Sequence, residues 1–309
     1  MTVRPLSAVR QYPLIIQSPA PAAPRLGRGR RVIVVVAHAD DVTLFCGGTV
    51  ARWADLGVAV TVVRVTDDSL DSAGVDEATT RRCNAEQFRA ACEVLGVEEV
   101  VDLGWLTDRL SDESTVAIRE RIIYHVRRVR PFAMASFDPD SRLHEDNLDH
   151  KVVAAAVDEA YWTSMFDKHH PEHLDEGLRP HGVYERWYFG RQVADVTEVV
   201  DISTTIDRKV EAALCHDLML RNIVHQLRLQ AETGGYGVAA LDAAQDGDLR
   251  PLFDTALRRS AEATGARHGL AMAEEFRVVP SRRTRGPPRR VTVSRFLGGS
   301  PRRLRQASA

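Results

Sequence analysis

Val32-Ile33-Val34-Val35-Val36-Ala37-His38-Ala39-Asp40-Asp41 decides how this chain is read. Five β-branched residues follow one another without alternation, which is the pattern of a strand buried on both faces, as in a parallel sheet covered by helices. The run then ends on an imidazole and two adjacent carboxylates. The carboxyl ends of parallel strands are where open α/β sheets place their ligands, so the chemistry is expected here.

Outward from this stretch, the pattern repeats. Residues 43–56 have a helical composition with a stop at Gly57, and 58–66 (VAVTVVRVT) form a second buried strand with an acidic exit at Asp67-Asp68. A helix over 77–95 closes at Gly96, a strand over 97–103 leads to an exit loop with Asp108 and Arg109, a helix covers 114–129, and 131–137 form a fourth strand. Parallel strands need helical crossovers, and this β-α rhythm predicts a doubly wound, Rossmann-like, mostly parallel sheet with helices on both faces. Asp149 reads as the N-cap of a helix over 151–164, which puts His150 in its first turn. Strands are expected at 184–189 and 196–202. One long helix is expected from a capping box at Thr204-Thr205-Ile206-Asp207 to about 229, then a glycine-rich connection at Gly234-Gly235-Tyr236-Gly237, a helix over 249–264 and a last element over 269–279. These form a C-terminal elaboration of helix and strand.

At 309 residues and 44% apolar, the chain can bury a substantial core. Three regions are expected: an N-terminal arm over 1–30, the α/β domain over 31–280 and a basic tail over 281–309. The net charge of −2 supplies no overall basic field for nucleic acid. The tail carries nine arginines and no acid; it reads as a disordered, solvated segment, with contact to a polyanion or membrane surface as the other reading. Four dispersed cysteines form no C-x-x-C pair, and the longest apolar run in the arm is Leu14-Ile15-Ile16. The expectation is a cytoplasmic protein with no membrane span.

His38 and Asp41 can converge on one cation if their loop turns tightly, and His150 would complete an N, N, O set. Three protein ligands with one position left for water is the arrangement of a catalytic zinc site, where the water becomes a nucleophile near neutral pH. Asp40 is then the general base. The plainer readings stay open at this point. The paired aspartates could cap the following helix, Asp149 could be an ordinary cap, and His150 a surface histidine. His169-His170-Pro171-Glu172-His173 reads as a solvated loop, because its proline spoils helical presentation.

These residues carry a family resemblance. His38-Ala39-Asp40-Asp41-Val42 with Cys46-Gly47-Gly48-Thr49 resembles the A-H-P-D-D signature and trailing G-G-T of the PIG-L/LmbE family of zinc-dependent N-deacetylases, and Asn147-Leu148-Asp149-His150 is similar to its H-P-D-H motif. The likeness runs on through Arg82, Glu86, Asp102-Leu103-Gly104, Asp108-Arg109-Leu110, Asp201-Ile202, Lys209 and His216. It implies His38, Asp41 and His150 as ligands of one zinc ion per chain, with another divalent metal as an option, and Asp40 as general base. It also implies Asp149 as the group that orients a ligand, and hydrolysis of an N-acyl amide on a small amino sugar or glycoconjugate. Nucleic acid is not the expected partner, and the oligomeric state is open. Ala39 replaces the motif proline, and Phe45 stands where a small residue is common. Asn147 occupies the place of the histidine associated with the oxyanion; its amide can donate a hydrogen bond but cannot act as an acid, and His144 is the nearby residue that could fill the gap. The family's arginine after the second strand is absent, so Asp67, Asp68 and Asp108 are the expected substrate contacts. The alternative is a non-catalytic member that keeps the pocket and binds a sugar-like ligand.

Overall fold

The computed structural model describes residues 15–17, 26–141 and 145–281. The chain runs β1 (Ile15–Gln17), β2 (Arg31–Val36), α1 (Asp41–Asp55), β3 (Ala59–Thr66), α2 (Glu77–Leu95), β4 (Glu99–Trp105), α3 (Thr115–Val129), β5 (Ala133–Phe137), α4 (Leu148–Thr163), α5 (Glu172–Asp175), β6 (Glu185–Phe189), β7 (Glu198–Asp201), α6 (Ile206–Leu214), α7 (Asp217–Thr233), α8 (Ala239–Gln245), α9 (Arg250–His268) and β8 (Ala273–Pro280). The eight strands form one sheet in the order β1-β7-β8-β6-β5-β2-β3-β4. Every pairing is parallel except the two made by β8, whose first half runs antiparallel to β7 and whose second half runs antiparallel to β6.

Val32 to Val36 are fully buried because β2 lies between β3 and β5 and is covered on both faces. From β2 the chain steps outward through β3 to β4, then returns to place β5 on the other side of β2. Right-handed crossovers put α1 and α2 on one face and α3 and α4 on the other. The gap between the ends of β2 and β5 is therefore the topological switch point, where ligands of such sheets sit. The loops bearing His38 and His150 both open into it.

Several local expectations change. Asn147, not Asp149, caps α4: its Oδ1 accepts from the N–H of Asp149 at 2.9 Å and from that of His150 at 3.4 Å. The long helix expected to 229 is two helices broken at Cys215-His216, and Thr205 makes no side-chain cap; its hydroxyl donates to Gly48 O at 2.8 Å instead. Helix α8 follows the glycine-rich connection. Residues 15–17 of the arm add an edge strand alongside β7. The histidine-rich excursion is exposed at 165–169 and 171–172, as expected of a solvated segment, but it is anchored rather than free. His173 is 1% exposed with Nε2 2.6 Å from Glu120 Oε1, and the Arg127 guanidinium donates to the carbonyls of Ser164, Phe166, His169 and His170, which fastens the segment to α3. His144 and the basic tail lie outside the described residues. Among those described, no helix is long and apolar enough to cross a membrane.

Candidate metal centre

His38 leaves the end of β2 and His150 sits in the first turn of α4. Their side chains meet in the switch-point gap: His38 Nδ1 is 3.1 Å from His150 Nε2, which is 3.2 Å from Asp41 Oδ1. Asp41 Oδ2 lies 3.7 Å from His38 Nδ1 and accepts the His38 backbone N–H at 2.7 Å, which is what turns the loop tightly enough to bring the two residues together. All three side chains are buried, and the Phe137 ring stacks on His150 at 4.0 Å.

Each histidine also has a carboxylate behind it. Asp149 Oδ2 is 3.4 Å from His38 Nε2, and Glu145 Oε2 is 3.1 Å from His150 Nδ1. A carboxylate on the far nitrogen fixes the ring and strengthens the near nitrogen as a ligand. Asp149 is itself held by the backbone N–H of Asp108 at 2.7 Å. Asp149 thus has the orienting geometry expected of it; Glu145 was not singled out from the sequence, because nothing marks one acid among several in a polar loop.

The electrostatics fit a cation. Burial alone would pull both histidines down, yet Asp149 and Asp41 raise His38 to about 10, and Asp41 and Glu145 raise His150 to about 9. Burial opposes the ionisation of Asp41, but His150 and His38 hold it below the usual carboxylate range. Two imidazole nitrogens face each other across 3.1 Å amid buried acids, a donor set that a positive ion between them satisfies.

Asp40 begins α1 without a side-chain cap bond, so capping does not account for it. Burial, then the adjacent charge of Asp41, pushes its carboxyl up to about 7. The expected substrate contacts need correction. Asp68 is fully buried; it takes bonds from Arg64 at 2.6 Å, Thr66 at 2.7 Å and the Ala39 N–H at 3.0 Å, so it braces the motif loop. Asp67 is similarly engaged with Arg81 and the Ser69 N–H. Asp108 has an exposed side chain and a left-handed backbone (φ 62) and acts through its N–H. The carboxylate left over is Asp71, overlooked in the sequence. It groups with His38 and Asp68, its Oδ2 is buried without a hydrogen-bond partner among the described residues, and burial first raises it to about 6.

The Gly47-Gly48-Thr49 run has a physical cause. Helix α1 breaks at Cys46 (φ −142, ψ 17). The freed N–H groups of Gly48 and Thr49 donate to Glu274 at 3.0 and 2.8 Å, and Leu44 O accepts from Lys209 Nζ at 2.8 Å. Lys209 and Glu274 pair at 2.6 Å, both buried. A Cβ on Gly48 would come within 2.8 Å of Ile202, so glycine is required by close approach.

Fold and site together define an α/β domain with a candidate His/Asp/His metal centre at the switch point of a parallel sheet. Residues 33–161 match the model of the family described as PIG-L: GlcNAc-PI de-N-acetylase. The chain is similar to the diacetylchitobiose deacetylase of Thermococcus kodakarensis, 25% identical over 202 residues that cover 64% of this chain and 73% of the relative. Among solved structures it resembles N,N′-diacetylchitobiose deacetylase from Pyrococcus horikoshii (TM-score 0.66, 20% identity, 81% of this chain and 84% of that one). It also resembles GalB, the 4-carboxy-2-hydroxymuconate hydratase of Pseudomonas putida KT2440 (TM-score 0.58, 18% identity, 83% and 99%). At such identities the structures establish the fold alone. Since a hydratase shares it, the reaction has to be argued from the site.

Proposed function

We propose that the protein is a zinc-dependent N-deacetylase that hydrolyses an N-acetyl, or other N-acyl, amide on an amino-sugar-containing small molecule. The observation that carries this reading is the convergence of His38, Asp41 and His150 beside the uncapped carboxyl of Asp40. The family and the curated relative, a deacetylase by name, support it. Zinc suits an N, N, O donor set, and bound there it would supply Lewis-acid activation of water and of the amide carbonyl. Asp40 takes the water's proton as its oxygen bonds to the carbonyl carbon, then returns a proton to the amine nitrogen as the C–N bond breaks, leaving acetate and free amine. Asn147 holds its helix cap through Oδ1 and keeps the Nδ2 hydrogens as donors to the developing oxyanion; His144 is the other candidate for that task. Asp71, which groups with His38 and whose Oδ2 has no hydrogen-bond partner among the described residues, is the acid of the second loop to face the substrate. The four free cysteines suit a reducing compartment, the cytoplasm.

One observation favours the second reading, a binding protein that retains the pocket: an asparagine already serving as a cap stands where an acid would act. Metal analysis of the purified protein, combined with acetate release over a panel of N-acetylated sugars, separates the two. Bound divalent metal with acetate and amine in equal amounts is expected. Sugar binding without acetate would establish the binding protein, and failure to hold any divalent metal would end both readings.

A further inference from the structure

The loop that follows β3 carries four aspartates between residues 67 and 76 and neither lysine nor arginine. Three of them are accounted for. Asp67 pairs with Arg81 at 2.7 Å, Asp68 with Arg64 at 2.6 Å, and Asp76 caps α2 by accepting the Thr79 N–H. Asp71 differs: its Oδ2 is buried with no hydrogen-bond partner among the described residues. The backbone around it is pinned on both sides. The Asp71 N–H donates to Asp68 O at 3.3 Å, the Asn84 amide donates to the same carbonyl at 3.0 Å, and Ser72 Oγ lies 2.5 Å from Thr80 Oγ1.

A buried carboxylate oxygen without a donor is costly until a ligand supplies one. The position decides which ligand. Asp71 forms one group with His38 and Asp68, their ligand atoms within 4.8 Å of one another, so it stands at the metal centre itself. Two further carboxylates flank His38: Asp41 at 3.7 Å from Nδ1 and Asp149 at 3.4 Å from Nε2. Arg64 offsets Asp68, and Arg89 offsets Asp102, the other acid that Arg64 touches. A dication on His38, Asp41 and His150 would offset two of the three remaining charges, those of Asp41, Asp71 and Asp149, and leave one. A substrate hydroxyl would supply a hydrogen bond and leave that charge standing. An ammonium supplies the donor and the opposite charge together, and charge-assisted bonds are roughly twice as strong as neutral ones. A carboxylate or phosphate at the same place would be repelled.

We propose that Asp71 is a specificity-determining residue that selects N-acyl compounds carrying a protonated amine close to the amide. The inference deepens the deacetylase reading and rests on it for the position of the amide. It narrows the substrate from any N-acylated amino sugar to one with a second, free amino group. Leu70, 45% exposed next to Asp71, adds no polar side chain that would compete for that amine.

The test uses the metal-loaded full chain in an Asp40→Asn background, so that the ligand is not consumed. Titration calorimetry near neutral pH compares N-acetylglucosamine with its derivatives in which the hydroxyl at C3, C4 or C6 is replaced by an amino group. At least one derivative should bind about tenfold more tightly than the parent sugar. Adding Asp71→Asn, which keeps the shape and removes the charge, should abolish that preference. Asp112→Asn, which removes a carboxylate 65% exposed beyond β4, should preserve it. Metal content is measured in every variant. Equal binding of all the sugars, a preference that survives Asp71→Asn, or an Asp71→Asn protein that loses metal and weakens every sugar alike overturns the proposal. Acetate release by the protein with Asp40 intact is read in parallel. An Asp71-dependent preference without acetate release refutes the deacetylase reading and leaves the selectivity standing, whereas acetate release without the preference does the reverse.

Discussion

Asp40 and Asp41 are chain neighbours with different surroundings, and the difference supports the separate tasks proposed for them. Asp41 faces two histidines and a backbone N–H, which hold it ionised, while Asp40 is buried beside a like charge and rises to about 7. A carboxyl near the working pH can both accept and return a proton. Asp40→Asn is therefore expected to lower kcat by roughly 10²- to 10⁴-fold with metal content unchanged. Glu145→Gln, acting behind His150, should instead weaken metal affinity about 10- to 100-fold, with kcat largely recovered at saturating metal. Metal titration and kcat on both variants check this; an Asp40→Asn protein that keeps near-normal turnover would remove Asp40 from the mechanism. The grouping of His38, Asp41 and His150 was legible in the sequence because two motifs that resemble the PIG-L/LmbE signatures fall, in order, at two strand exits. Glu145 and Asp71 were not, since only the folded loops distinguish them from the other acids beside them.

At the scale of elements, the motif loop is held from the far end of the chain. The break in α1 leaves donors and an acceptor that Glu274 and Lys209 satisfy, and Thr205 and Arg208 add bonds to Gly48 O and Ala51 O. Removing one member of a buried pair strands the other charge, a loss of about 3–5 kcal/mol, whereas replacing both with apolar groups is often far milder. Glu274→Ala should thus lower unfolding free energy in denaturant by about that amount, and the Lys209→Met, Glu274→Ala pair should lose less than the single variant. A double variant at least as unstable as Glu274→Ala alone would contradict the pairing argument. The buried strands and α2, with Asp76 accepting from the Thr79 N–H and Gly96 closing it, were readable from local signals. The clamp was not, because its members are 65 residues apart. Nor was the break at Cys215-His216, which contains neither proline nor glycine to announce it.

Across the whole molecule, the doubly wound sheet that gathers the site also buries histidines that the site does not use. His216 is fully buried with no hydrogen-bond partner for either ring nitrogen among the described residues; burial, then Arg64, lowers it to about 3. His125 on α3 is lowered to about 4, by burial first and then by Arg128 and Arg121. In the unfolded chain both titrate near 6.5. Folded values below the unfolded one mean that the unfolded chain binds more protons in the interval between them. The stability is thus complete above about pH 6.5 and is lost as pH falls toward the folded values, with each group approaching about 1.4 kcal/mol per pH unit. His38 and His150, raised in the folded protein, act in the opposite sense, so the total profile mixes both. Substitution isolates one contribution. The stability of His216→Asn relative to the parent should improve by about 2 kcal/mol between pH 7 and pH 5, measured by denaturant unfolding with metal chelated in both proteins so that metal release does not enter. A difference between the two proteins that stays constant across that interval would show that His216 is not held neutral by its burial.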